Sequence, residues 1–94
     1  MSDAPKMGWF VAQLRPNGLA KARAHLRRQR FESFSPERMG TRPHQGRLMQ
    51  RRQPLFPGYL FVQFDPATPG WTAINSTRGI ARLLLQDPRH PRPL

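Results

Sequence analysis

Cysteine is absent from this 94-residue sequence, which excludes disulfides and thiolate metal sites and points to an intracellular home. Acids are scarce: five Asp and Glu stand against 16 Lys and Arg, for a net charge of +11. So few carboxylates leave little for acid–base or metal chemistry, and there is no nucleophile elbow, phosphate loop or paired-carboxylate pattern. His25, His44 and His90 are scattered, with no HxxxH spacing and no carboxylate cluster nearby. The expectation is a protein that is not an enzyme and holds no cofactor or metal. No run of 18 apolar residues occurs, and Met1–Lys6 lacks an apolar signal segment, so a soluble cytoplasmic protein is expected.

What is present is one domain's worth of chain with a strong cationic excess. Fourteen of the 16 cations are arginine; a codon bias of the kind GC-rich genomes have would favour arginine over lysine, but would not explain the lack of acids. A polyanion partner, nucleic acid above all, fits the balance. The longest apolar run is Gln53-Pro54-Leu55-Phe56-Pro57-Gly58-Tyr59-Leu60-Phe61-Val62-Gln63-Phe64-Asp65, which reads as the central strand. Its alternation puts Leu60, Val62 and Phe64 on one face and Tyr59, Phe61 and Gln63 on the other. Both faces carry large apolar groups, and periodicity leaves open which is the inner one.

Residues 1–7 read as a disordered lead-in. Trp9–Leu14 is a first strand, stopped by Arg15-Pro16-Asn17-Gly18, and Asn17 sits where an N-cap would. From Leu19 to about Arg30 lies the main helix, with Leu19, Ala22 and Leu26 as its inward stripe. Lys21 and Arg28 share its far side, and no acid between residues 4 and 31 is there to pair with them. Phe31–Pro36 is a second strand. The arginine-rich segment at about 37–52 is a hairpin arm or long loop, turn-rich from Met39 to Gly46 and able to form a strand from Arg47 to Arg52. After a turn at Pro66–Gly70, Trp71–Ser76 is a short helix pinned by Trp71 and Ile74, and Gly79 supplies a left-handed residue just past it. Ile80–Leu85 is the last strand, and Pro-rich residues 87–94 read as the start of a linker.

These residues, Trp9-Phe10-Val11, Leu26-Arg27-Arg28-Gln29, Pro36, Pro54-Leu55-Phe56-Pro57-Gly58-Tyr59-Leu60-Phe61-Val62 and Ile74-Asn75-Ser76-Thr77-Arg78-Gly79-Ile80, resemble the N-terminal domain of the NusG family of transcription elongation factors. The resemblance spans roughly residues 8–94, and Thr77-Arg78-Gly79 is closest to the family's RfaH-like branch. It implies an α+β fold: a four-stranded, mainly antiparallel sheet flanked by one long and one or more short helices. It further implies a domain at 8–86 that docks on the clamp helices of the largest RNA polymerase subunit, bridges the DNA channel and suppresses pausing. A C-terminal KOW domain, through which family members reach ribosome or Rho, is not in this sequence.

By the resemblance, Val11, Pro57, Tyr59 and Phe61 contact polymerase, and Arg15, Lys21, Thr77 and Arg78 contact the non-template DNA strand. Gln13 and Gln86 stand where the RfaH-like branch has aromatics, and Gly70-Trp71-Thr72-Ala73 keeps only Thr72 of its gate-loop run. From the residues alone, Tyr59 and Phe61 serve equally as core, and Arg78 as a cation at a helix C-terminus. A stand-alone nucleic-acid-binding domain, using the helix face and residues 38–52 on structured RNA or the ribosome, is the alternative function.

Overall fold

The computed structural model describes residues 7–85 and 93. Residues 1–6 of the expected lead-in, Gln86 and, Pro93 aside, the expected linker lie outside them. The order is β1 (Gly8–Leu14), α1 (Leu19–Arg28), β2 (Glu32–Phe34), β3 (Glu37–His44), β4 (Arg47–Pro54), β5 (Tyr59–Phe64), a 3-10 helix (Trp71–Ser76) and β6 (Ile80–Leu84). Four strands form an antiparallel sheet in the order β2-β5-β1-β6, and β3 and β4 pair separately as an antiparallel ribbon. This is the expected α+β class. No helix among the described residues is long and apolar enough to cross a membrane.

The core occupies one side of the sheet. Leu60, Val62 and Phe64 of β5 and Phe10 and Ala12 of β1 point into it, where Ala22 and Leu26 of α1 and Ile74 of the 3-10 helix meet them, all buried. Phe64 is sandwiched between Phe10, 4.0 Å between centroids, and Trp71, at 5.4 Å, with rings near parallel. Trp71 thereby pins the 3-10 helix as its spacing predicts. In β6, strict alternation would set Arg82 on the same side as Ile80. A bulge between the Gln13 and Leu14 pairings re-phases the strand, so Ile80 and Leu83 both turn inward and Arg82 faces out.

Three expectations are corrected. Asn17 does not cap α1: it adopts φ 55° in a turn, Gly18 takes the N-cap position, and no side chain caps the helix. The reach from Gln53 to Asp65 is not one strand, since β4 ends at Pro54 and Leu55–Gly58 forms a loop before β5. Met39–His44 is strand rather than turn. Only Gln45 and Gly46 reverse the chain, with φ 50° and 76°, the left-handed pair that a two-residue hairpin requires. Pro43 is tolerated because a two-stranded ribbon has only edges.

Gly79 has φ 86°, and the reason is more than a turn. A Cβ there would stand 2.4 Å from the Gly18 carbonyl oxygen and 2.7 Å from the Ala22 nitrogen. Two glycines let the start of α1 pass against the start of β6, and the Arg15 N–H donates to the Gly79 carbonyl at 2.9 Å.

Candidate functional site

Among the described residues no helix covers the sheet's second face. Its central row follows directly from register: Phe34 of β2 pairs with Phe61 of β5, Phe61 with Val11 of β1, and Val11 with Leu84 of β6. Cross-strand partners point to the same side, so four apolar side chains cross the sheet in one line. Phe34 is 56% exposed and Leu84 40%. One pair along, Tyr59 opposes Gln13, and the Gln13 Oε1 accepts from Arg82 Nε at 3.2 Å. Leu55 and Phe56 in the loop before β5 are also exposed, and the Phe56 ring stands edge-on to Phe61 at 6.0 Å.

The structure brings Val11, Tyr59 and Phe61 onto this face and sets exposed Pro57 at its edge, in the loop entering β5. Sequence reasoning missed Phe34, Phe56 and Leu84. Alternation within β2 would have placed Phe34 once β2 was known to pair with β5. Leu84 has no such signal, because a bulge sets its direction.

The expected nucleic-acid residues divide. Arg15, Lys21 and Arg78 are exposed where β1 ends, α1 starts and β6 is about to begin, and the Arg15–Gly79 hydrogen bond draws two of these segments together. A hollow of about 560 Å3, lined by Arg15, Asn17, Pro54, Pro57 and Tyr59 among others, connects this corner to the open sheet face. Thr77 lies elsewhere. It is the one buried polar side chain of the described residues, its hydroxyl donating to the Ala73 carbonyl at 3.0 Å and accepting from Gln29 Nε2 at 2.9 Å. Gln29 in turn donates to the His25 carbonyl, so Thr77 ties the end of the 3-10 helix to the end of α1 and has no hydroxyl to offer DNA.

The hairpin is a second basic element, exposed from Glu37 to Arg52 except at Gly40. Its register sorts the charges: Arg38, Arg42, His44, Arg47 and Arg51 share one face, while Met39, Pro43 and Leu48 share the other with Arg52. Among the described residues no group of three or more His, Asp or Glu is placed to hold a metal. The arrangement suits binding: one bare apolar sheet face, flanked by cations. A family model described as transcription termination factor NusG matches residues 7–94.

Proposed function

Because the chain belongs to the NusG family, a family of transcription elongation and termination factors, we propose that it is a module that docks on RNA polymerase through its helix-free sheet face. The observation carrying this reading is the in-register row Phe34–Phe61–Val11–Leu84, apolar and uncovered in a chain otherwise dominated by arginine. An uncovered apolar strip on a small basic domain marks a protein-binding surface. The occupant is the pair of clamp helices on the largest catalytic subunit. Val11, Tyr59 and Phe61 supply the central contact and Pro57 its edge, with Phe34, Phe56 and Leu84 extending it.

Docking there leaves Arg15, Lys21 and Arg78 at one end of the interface to meet the non-template strand, Lys21 by neutralising phosphate and the arginines by phosphate or base contact. Thr77 is not included, since its hydroxyl is engaged within the chain. By holding the clamp closed across the DNA channel, the module suppresses pausing. A pause-escape assay with purified polymerase tests this: addition of the protein shortens the dwell at a defined pause. An unchanged dwell together with no binding to nucleic-acid-free core polymerase refutes it, and leaves the stand-alone nucleic-acid reading.

A further inference from the structure

A second basic surface lies away from the Arg15 corner, beside β2. A groove follows the β2 edge of the sheet in two adjoining hollows of about 540 and 600 Å3, which share Arg23 as a common wall. Arg23, Arg27 and Arg30 line the first, Arg38 and Arg52 the second. All five arginines are exposed, and none has an ion-pair partner among the described residues. Arg23 and Arg27, four apart on α1, stand roughly 5–6 Å apart at Cβ and present a pair of cations along the groove. Each hollow has the size of a small-ligand pocket, ~300–1,000 Å3, which suits individual nucleotides and not a duplex.

The walls contain more than cations. Glu32 lines the first hollow and Glu37 the second, two of the chain's five acids, with Ser33 and Ser35 between them. Carboxylates oppose phosphate, so a site for phosphate alone gains nothing from them. They do accept hydrogen bonds from sugar hydroxyls, and the 2′-hydroxyl is the group that separates RNA from DNA. Half-buried Phe31 gives the groove an apolar wall for a base.

We propose that the groove between α1, β2 and the base of the hairpin binds single-stranded RNA, with Arg23, Arg27, Arg30, Arg38 and Arg52 on the phosphates and Glu37 on a 2′-hydroxyl. The groove shares no lining residue with the Arg15–Arg78 corner, and it meets the polymerase-facing sheet surface only at Phe34, which lines the second hollow.

Fluorescence anisotropy with a labelled 12-nucleotide oligo-U RNA and the matching oligo-dU tests it on the full chain. RNA binds more tightly than DNA. The double variant R23Q/R27Q, which keeps good helix formers on an exposed face, loses at least tenfold in RNA affinity and lowers the salt slope by about 1.4, at ~0.7 per single-strand phosphate. R15Q/R78Q leaves RNA binding within twofold. Glu37→Gln narrows the RNA-over-DNA preference without weakening oligo-dU. Equal losses for the two double variants would mean diffuse attraction and overturn the site. Equal affinity for RNA and DNA, unmoved by Glu37→Gln, would overturn the assignment to RNA. Circular dichroism confirms that each variant is folded.

Discussion

Truncating Tyr59 to alanine separates an interface from a core. Tyr59 and Leu60 are neighbours on β5, but Tyr59 keeps 41% of its surface on the open face while Leu60 keeps none on the other. A fully covered aromatic side chain buries ~150–250 Å2, so the part of Tyr59 left for a partner is roughly 60–100 Å2. At about 25 cal/mol per Å2 its burial contributes about 1.5–2.5 kcal/mol to docking. That corresponds to a roughly 10- to 70-fold rise in Kd for core polymerase. Folding stability falls by about 1 kcal/mol or less, as for most surface truncations, moving Tm by no more than about 4–8 °C. Leu60→Ala removes a fully buried side chain and costs about 2–5 kcal/mol. The measurements are polymerase affinity by biolayer interferometry and thermal unfolding by circular dichroism, on both variants. The reasoning is refuted if Tyr59→Ala lowers Tm as far as Leu60→Ala does, or binds polymerase like the parent.

Gly79→Ala forces a Cβ to within 3 Å of two backbone atoms of the 18–22 segment at a positive φ, so stability drops by more than about 2 kcal/mol in urea unfolding; Gly46→Ala, open on all sides, costs about 1 kcal/mol. Arg78→Ala weakens binding to single-stranded DNA and lowers its salt slope by about 0.7. Thr77→Val, which deletes a hydroxyl bonded on both sides, lowers stability by about 1–2 kcal/mol and leaves DNA affinity unchanged in the same titration. A DNA defect from Thr77→Val in a fully folded protein would return Thr77 to the nucleic-acid surface.

The elements legible from sequence are those whose signals are local. Leu60, Val62 and Phe64 alternate with Tyr59 and Phe61, and the strand's two faces follow from that period. Leu19, Ala22 and Leu26 recur at helical spacing, and α1 follows. Asn17 misled because a side chain suited to capping is equally suited to a left-handed turn. The 39–44 segment misled because Gly40 and Pro43 have weak strand character alone, and it is pairing with β4 that extends them.

By itself, then, the sequence determined the cationic balance, the strands and helix with local periodicity, and the need for a left-handed residue at Gly79. Tertiary structure alone decided which face of the sheet stays bare, that Leu84 joins Phe34 across it, and that Thr77 bonds Gln29 48 residues away. The physical reason is range. Side-chain period and backbone preference act over a few residues, whereas register, a bulge and a buried hydroxyl's partners exist only once distant segments have met.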